Sequence, residues 1–573
     1  MTALARPRRD LLVPTVVAAV LAVLVLGPAL GRGVVLAYDL AWSPDPRLTP
    51  FTLGTSTPAP RAVPSDAVSV ALGWVIGAGA AQALILWATL VLAGVGAARL
   101  AALLSPGLGP VAGSSAAVAA VWNPFVLERL VVGQWTVLLG YAAVPHLLVA
   151  ALRVRQGTAP MWWPAVGLAA CGLGGANTLV LGALAVGGVL LAPRPRWGAL
   201  GLASAAALGV SAVWSLPAVT AGVRSSRAGV AEFAARSDTP LGVLGSLLSG
   251  GGFWNPASHP AARSTTVVAV TAAGLAVLTF IAAVRAARAE HLLAVIVPAV
   301  AGLVLAWLSA ADPFGLWSTL VLGTPGGGVL RDAQKLVAPW VALCAAGAGV
   351  LVRDLLDARV AGPALAALVT ALPVVLLPSL AWGVGGRIDA VDVPADLRAV
   401  AAMLSQDAPG TVGLLPWSQY RRYEWNGGRV SLTLVPRMVD QRVILDDRLP
   451  LAGGQVPGED PTARAVTDRI EAGVSPLAAL AAEGVRWIVV EKGTGLPDPS
   501  VDDPLPLAAR VTHDTPSVRV IELSARPGEA GVVAAAATAW GWGVTCITWL
   551  VALGCVVLSR APSRRRGLVQ SAP

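Results

Sequence analysis

Charge is scarce in this chain. Its 573 residues are 13% charged and 55% hydrophobic, whereas an ordinary soluble domain carries roughly 25% charged residues. This composition excludes a wholly soluble globular protein and indicates an integral membrane protein. Lysine is almost absent, because only Lys335 and Lys492 are present and the remaining basic side chains are arginines.

Cysteine is scarce as well. Cys171, Cys344, Cys546 and Cys555 all lie in apolar runs, which is typical of buried, unreactive thiols. Their positions fit neither a disulfide framework nor a zinc site, so no metal ligands are assigned, although a divalent metal could still serve as a cofactor. The polar stretch 386–529 has no G-x-G-x-x-G motif, which leaves a nucleotide site there without support.

The net charge of +9 is unevenly distributed. The segment 387–529 holds 15 basic and 20 acidic residues, and the remainder holds 26 basic and 12 acidic residues. The positive excess therefore belongs to the membrane part. It reflects orientation in the membrane and contact with anionic lipids, so we expect membrane lipids and no nucleic acid among the partners.

Apolar runs long enough for membrane helices occur along most of the chain, since a crossing needs about 20 residues. The first run is too long for a typical signal-peptide core and has no convincing cleavage site, so we interpret it as a membrane helix. About twelve spans are predicted on this length criterion, near 11–31, 79–98, 109–122, 135–152, 161–174, 177–193, 198–218, 264–284, 291–310, 336–352, 361–383 and 531–558.

The span pair 161–193 is a single apolar stretch interrupted by the glycine-rich segment 172–177. We interpret it as two short helices in a tight hairpin, because a single passage would move every later loop to the other side. With two passages and the amino terminus inside, the short loops that become cytoplasmic are all basic, which follows the positive-inside rule. These loops contain Arg99, Arg153, Arg155, Arg194, Arg196, Arg285, Arg288, Arg353 and Arg359, and Arg560 and Arg564 to Arg566 follow the last span.

The segment 386–529 alternates patterns typical of strands and helices, which predicts a small α/β domain. The predicted fold class is thus an α-helical polytopic membrane protein with a small extracytoplasmic α/β domain before the last helix. Its parts are a transmembrane domain over 1–385 with long outer loops, the α/β domain over 386–529, a final helix over 530–558 and a basic cytoplasmic tail over 559–573. The expected location is the plasma membrane, with both termini cytoplasmic.

An acid follows the first span directly, in Tyr38-Asp39-Leu40. A carboxylate at the outer end of a membrane helix is costly unless it is solvated or used. Asp45 is a second candidate, but its position between two prolines is typical of a turn residue.

Two further polar clusters border predicted spans on the outer side. One runs from Trp122 to Trp135 and contains Glu128 and Arg129, and the other runs from Gly326 to Lys335 and contains Arg331 and Asp332. Positive-inside sorting should deplete cations from outer loops, so these cations favour pairing with acids or binding an anionic ligand. The triple glycine at 326–328 could present backbone N–H groups to a phosphate, but a plain loop with an internal ion pair fits equally well.

The membrane part, about residues 11–385, resembles a known family. Its layout is similar to the GT-C glycosyltransferases, polytopic enzymes that use polyprenyl-phosphate sugars at the outer leaflet. The segments Leu36-Ala-Tyr-Asp39-Leu, Asn123-Pro-Phe-Val-Leu-Glu-Arg129, Gly133-Gln-Trp135 and Gly174-Gly-Ala-Asn177 resemble the membrane core of actinobacterial AftD-type arabinofuranosyltransferases. Those enzymes are much longer and carry additional carbohydrate-binding domains.

The resemblance implies inverting transfer of a sugar, arabinofuranose being one candidate, from a polyprenyl-phosphate donor to a cell-envelope glycan or lipid acceptor. Asp39 would be the general base, with Asp45 as runner-up. Arg129, Arg331 and Lys335 would bind the donor phosphate. Glu128, Asp332, Asp45 and Trp135 would orient these groups or the acceptor.

Two other functions remain open. About twelve spans also suit a transporter or flippase of envelope precursors, although such proteins keep ionisable groups near the bilayer midplane and have repeated halves. A non-catalytic scaffold with the same fold is the third interpretation.

Overall fold

The computed structural model describes residues 11–57, 60–222, 226–287, 293–324, 326–358, 361–406, 410–451, 454–497, 509–523 and 535–560. The basic residues before position 11, Arg224, Arg288, Arg359, the predicted boundary at 529/530 and the tail beyond 560 lie outside these ranges.

Helices dominate the membrane part. Their bounds are α1 Leu12–Leu26, α2 Pro50–Leu53, α3 Ser65–Ile76, α4 Ala78–Leu104, α5 Pro110–Val121, α6 Pro124–Val131, α7 Trp135–Arg155, α8 Trp163–Cys171, α9 Gly175–Leu191, α10 Trp197–Thr220, α11 Arg227–Glu232, α12 Gly242–Leu248, α13 Thr266–Ala286, α14 Ile296–Ala311, α15 Leu316–Gly323, α16 Ala338–Leu356 and α17 Gly362–Leu376. The last membrane helix is α21, Ala535–Arg560.

By length and composition, nine helical stretches of the described residues could cross a membrane, or eleven if two bent pairs count as one span each. The bends are 104° between Ile296–Ala311 and Pro313–Gly323, and 63° between Gly362–Leu376 and Pro378–Gly386. The predicted number was about twelve. The difference lies in Trp163–Leu191, which counts as one stretch of 29 residues.

Contacts nevertheless show that Trp163–Leu191 folds back on itself. A Cβ on Gly182 would lie 2.9 Å from the Leu168 side chain and 3.1 Å from the Cys171 sulfur, although a straight helix rises about 1.5 Å per residue and would separate these residues by far more. α7 and α9 run in the same direction, because Thr178 donates to the Thr136 carbonyl at one end and Arg155 donates to the Val189 carbonyl at the other. The predicted hairpin is therefore present, with a first arm of nine residues.

The bundle packs around α16, whose residues are almost all buried. Small residues allow the close approach: a Cβ on Gly347 would lie 1.9 Å from the Thr279 carbonyl oxygen on α13. The predicted polar loop 123–134 is different in the structure. Residues 124–131 form helix α6, which begins with the Asn123 side chain accepting from the Val126 N–H and is buried along nearly its whole length.

The segment after 386 contains a mixed five-stranded sheet. Its strands are β3 Thr411–Leu415, β6 Arg442–Ile444, β9 Trp487–Glu491, β10 Arg510–Asp514 and β11 Val518–Glu522. Their order in the sheet is β10-β11-β9-β3-β6. β6, β3 and β9 are parallel, and β11 and β10 continue antiparallel. Helices α18 Ala395–Gln406, α19 Pro461–Glu471 and α20 Pro476–Ala482 accompany the sheet, so strands and helices alternate as predicted.

Three two-stranded pairs complete the structure. β1 Val34–Val35 pairs with β2 Ala390–Val391, β4 Tyr420–Arg422 with β5 Val430–Leu432, and β7 Leu449–Leu451 with β8 Gly454–Val456. The β1–β2 pair joins the loop after α1 to the start of the α/β domain. This pairing holds the loop that carries Asp39 against the α/β domain.

Candidate active site beneath the α/β domain

The backbone of the loop that carries Asp39 is hydrogen-bonded to two other segments. The side-chain amide of Gln82 on α4 accepts from the Val35 N–H at 2.7 Å and donates to the Val35 carbonyl at 2.9 Å. The Asp39 N–H donates to the Val132 carbonyl at 3.2 Å, next to Gly133. The first two polar clusters of the sequence are therefore in contact.

Tyr38 is bound to the α/β domain from the other side. Its N–H donates to the Val430 carbonyl at 2.6 Å, and its carbonyl accepts from the Leu432 N–H at 2.9 Å. Tyr38 has a φ of +46°, an unfavourable conformation for a residue with a Cβ. Such a conformation persists only where surrounding contacts hold it in place, and strained conformations of this kind are common at functional sites.

The Asp39 carboxylate is accessible from the surface of the protein. The residue is exposed, and its Oδ1 accepts a 3.0 Å hydrogen bond from the Tyr420 hydroxyl of the α/β domain. Desolvation by the surrounding protein raises the pKa of Asp39, and the hydrogen bond from Tyr420 and the charge of Arg61 partly oppose this rise. The carboxylate is thus reachable by a ligand and has a raised pKa, an arrangement that suits a general base.

Three arginines lie close enough for their charges to act on Asp39: Arg61, Arg331 and Arg437. Arg61 pairs with Glu459 at 2.5 Å and keeps 60% of its side chain exposed. Arg331 stacks over the Phe233 ring at 4.4 Å. Desolvation, with the nearby charge of Arg61, lowers the pKa of Arg331 to about 10, so Arg331 is still a cation at neutral pH.

Arg331 also has free hydrogen-bonding capacity. Within the described ranges, no side chain or carbonyl accepts a hydrogen bond from its guanidinium group, and the residue is half-buried. A half-buried arginine with unused donors near an exposed carboxylate can bind an anionic group.

Arg129 is used differently, although it lies in the same region. It is completely buried and forms an ion pair with Asp332 at 2.8 Å. Gln134 and Gln334 accept further hydrogen bonds from it, and the Phe253 ring lies 4.2 Å from its guanidinium carbon. This geometry favours a supporting role for Arg129 and Asp332 over direct contact with a ligand.

Lys335 joins the third polar cluster to the hairpin. Its Nζ donates to the Asn177 side chain at 2.7 Å and to the Val329 carbonyl at 2.5 Å, and only 2% of the residue is exposed. Lys335 thus lies next to the turn that contains the Gly174-Gly-Ala-Asn177 motif, within reach of the charge of Arg331.

The remaining predicted site residues are bound to other partners or buried. Glu128 is fully buried, beside the Asp238–Arg263 ion pair, and among the described residues neither of its carboxylate oxygens has a hydrogen-bond partner. Asp45 forms a two-bond ion pair with Arg398 of the α/β domain at 2.5 and 2.8 Å. Trp135 packs against Trp42 with ring centroids 5.5 Å apart.

An apolar cleft opens between α5, α13, α16 and α17. Its lining includes Trp122, Trp340 and Arg263, but none of Asp39, Arg129, Arg331 or Lys335. The cleft is thus separate from the surroundings of Asp39. Across the described part of the chain, no three His, Cys, Asp or Glu side chains are grouped so that they could hold a metal ion.

Sequence reasoning did not place Arg61, Glu459 and Tyr420 near Asp39. Arg61 was one of several outer-loop arginines, and Tyr420 was one of several aromatic residues of the α/β domain that could stack on a sugar. Gln134 belongs to a motif that the sequence did single out, and it too acts on Asp39.

No protein-family profile matches this chain, and no curated protein matches it. Among solved structures, the chain is similar to the cryo-EM structure of arabinofuranosyltransferase AftD from Mycobacteria, with a TM-score of 0.58 and 17% identity. The alignment covers 91% of this chain and 40% of the AftD chain. This chain shares the fold of the aligned part of AftD.

The predicted polytopic fold class and the predicted resemblance are therefore confirmed at the level of the fold. The chain spans about 40% of the length of the AftD chain, yet the likeness extends over nearly all of this chain. It thus includes the α/β domain, whereas the sequence motifs that suggested the resemblance lie in the membrane part alone.

Proposed function

We propose that this protein is a membrane glycosyltransferase that transfers a sugar from a polyprenyl-phosphate donor to a cell-envelope glycan or lipid acceptor, with inversion. Arabinofuranose is the first donor sugar to test, since the structural neighbour is an arabinofuranosyltransferase. The observation that carries the proposal is that the exposed carboxylate of Asp39 lies within reach of the charges of Arg61 and Arg331.

Asp39 is the general base of the proposed reaction. Its carboxylate takes the proton of an acceptor hydroxyl while that oxygen attacks the anomeric carbon of the donor. The bond between the anomeric carbon and the phosphate oxygen breaks, and the polyprenyl phosphate leaves with the electron pair. Attack opposite the leaving group inverts the configuration at the anomeric carbon.

The leaving phosphate needs positive charge and hydrogen-bond donors. We assign direct contact with it to Arg331, whose donors are free of partners among the described residues. Lys335 adds positive charge close to Arg331. Arg129 holds Asp332, Gln134 and Gln334 in place, and Glu128 is fully buried next to it on the same helix.

The proposed orientation follows the charge distribution of the loops. Asp39 and the α/β domain face the exoplasmic side of the plasma membrane, and both termini face the cytoplasm. Lipid-linked donor and membrane lipids would then approach Asp39 from the outer leaflet.

The test compares Asp39→Asn with Asp45→Asn in membranes supplied with a polyprenyl-phosphoryl arabinofuranose and a short arabinofuranoside acceptor. Removing a general base typically costs 10²–10⁴-fold in rate, so Asp39→Asn should lower transfer by about 100-fold or more. Asp45→Asn removes only a half-exposed ion pair with Arg398 and should keep most of the activity. Transfer retained in Asp39→Asn and lost in Asp45→Asn would move the base to Asp45.

A further inference from the structure

Tyr420 is the point at which the α/β domain touches Asp39. Strand β4 begins at Tyr420 and pairs with β5, where Tyr420 lies opposite Leu432. The Leu432 N–H in turn donates to the Tyr38 carbonyl at 2.9 Å. The phenol and the carboxylate therefore sit on two backbone segments that are hydrogen-bonded to each other.

The side chains of these segments are also packed together. The Tyr420 ring meets the Tyr38 ring edge to face, with centroids 6.5 Å apart, and its hydroxyl donates to the Asp39 Oδ1 at 3.0 Å. A phenol held in this way fixes the direction of the carboxylate. The hydrogen bond from Tyr420 engages Oδ1, and the Gln134 amide also acts on the carboxylate, so Oδ2 is the oxygen left to receive an incoming hydroxyl.

We propose that Tyr420 is a positioning residue for Asp39, and that the α/β domain thereby completes the active site. This inference rests on the proposed function, because it assumes that Asp39 acts as the base. Tyr420 does not contact the reacting atoms. It acts through Asp39, holding one carboxylate oxygen so that the other is directed at the acceptor.

Every element packed around Asp39 contributes to its charge environment. Tyr420 and Arg437 come from the α/β domain, Arg61 from the loop before α3, Gln134 from the turn before α7, and Arg331 from the loop after α15. All five favour the carboxylate form, whereas desolvation opposes it. Removing the Tyr420 hydroxyl leaves the desolvation in place and raises the pKa of Asp39.

The experiment compares Tyr420→Phe with Tyr423→Phe in the full chain, purified into nanodiscs. Tyr423 is a matched control, because it is buried three residues further on and its hydroxyl donates to Glu491 at 2.6 Å, not to Asp39. The measured quantity is kcat/KM against pH, with a polyprenyl-phosphoryl arabinofuranose as donor and a short arabinofuranoside as acceptor.

A base must be deprotonated to act, so activity falls as the pH drops through its pKa. In Tyr420→Phe we expect the acidic limb to move to higher pH by about half to one unit, the size of one lost hydrogen bond. In Tyr423→Phe the limb should stay at its wild-type position even if the protein is less thermostable. Site-specific 3-fluorotyrosine at position 420 keeps the fold and strengthens the donor, so it should move the limb to lower pH.

Two results would overturn the inference. One is an acidic limb that stays in place both in Tyr420→Phe and with 3-fluorotyrosine, while transfer still depends on Asp39. The other is an equal loss of rate at every pH in Tyr420→Phe and Tyr423→Phe, which would make Tyr420 a structural residue. Failure of the proposed function looks different: the wild-type protein transfers no sugar, or Asp39→Asn transfers it normally.

Discussion

At the scale of single residues, Arg129 and Arg331 have opposite environments. Arg129 has no exposed side-chain surface and is bound to Asp332, Gln134 and Gln334. Arg331 is half-buried and stacks over the Phe233 ring, and within the described ranges its guanidinium group donates no hydrogen bond. The first arrangement uses the arginine's donors within the protein, whereas the second leaves donors that suit an anionic ligand.

Arg331→Ala and Arg129→Ala should therefore fail in different ways. Arg331→Ala should raise the KM for the lipid-linked donor about tenfold or more, the cost of one charge-assisted contact, with an unchanged acceptor KM and melting temperature. Arg129→Ala leaves Asp332 unpaired in a buried site, which typically costs about 3–5 kcal/mol. Steady-state kinetics and thermal melting of the purified variants separate the two effects.

Arg47→Ala is a suitable control for both variants. Arg47 forms an ion pair with Asp440 in which both side chains are more than 40% exposed, and such pairs contribute little. A donor KM that does not change in Arg331→Ala, or a melting temperature that does not fall in Arg129→Ala, would contradict these assignments.

The sequence could indicate only some of these residues. Asp39 and Arg331 lie in short polar motifs that border apolar runs, so their positions are visible in the chain. Tyr420 is 381 residues away from Asp39 along the chain, and Arg61 and Glu459 are 398 residues apart. Only the fold brings them together, and no local pattern carries that information.

At the scale of elements, the turn around Gly133 supports the loop that carries Asp39. Gly133 has a φ of +71°, and a Cβ there would lie 2.2 Å from the Ala37 carbonyl oxygen and 2.3 Å from the Leu40 nitrogen. Any side chain at this position must therefore displace the loop 37–40. Gly157 has the same φ of +71°, but a Cβ there would meet nothing within 4 Å.

This pair of glycines gives a matched test. Both Gly133→Ala and Gly157→Ala carry the cost of a left-handed residue, about 1–2 kcal/mol. Only Gly133→Ala should also displace Asp39, so we expect transfer to fall at least about tenfold further, since small misplacements of reacting groups are costly. Equal activity in the two variants would show that the turn does not position Asp39.

Element predictions succeeded where apolar length decides and failed where tertiary contacts decide. The second span was predicted at 79–98, and the helix covers Ala78–Leu104. The cluster 123–134 was interpreted as a polar loop because it contains Glu128 and Arg129. It is a buried helix instead, because Arg129 finds its counter-ion in Asp332, 203 residues further along the chain.

At the scale of the whole molecule, several ion pairs join the α/β domain to loops of the membrane part. They are Arg47–Asp440, Arg61–Glu459, Arg398–Asp45 and Arg437–Asp66. The domain therefore lies against the end of the bundle that carries Asp39. Arg155, at the opposite end of α7, donates to carbonyls at the end of α9 and marks the other face.

The proposed orientation predicts different access from the two sides of the membrane. Arg422 lies in the α/β domain and Thr158 at the opposite face, and both are exposed. In a background without the native cysteines, Arg422→Cys should react with a membrane-impermeant maleimide in intact cells. Thr158→Cys should react only after permeabilisation. The reverse pattern would place Asp39 in the cytosol and contradict the proposed reaction.

The most direct measurement of the central claim is a product balance with the purified wild-type protein in nanodiscs. With a polyprenyl-phosphoryl arabinofuranose and a short arabinofuranoside, we predict that each sugar transferred releases one polyprenyl phosphate, that the new linkage has the inverted anomeric configuration, and that Asp39→Asn abolishes both products. Release of polyprenyl phosphate without transfer, retention of configuration, or undiminished products from Asp39→Asn would contradict the account.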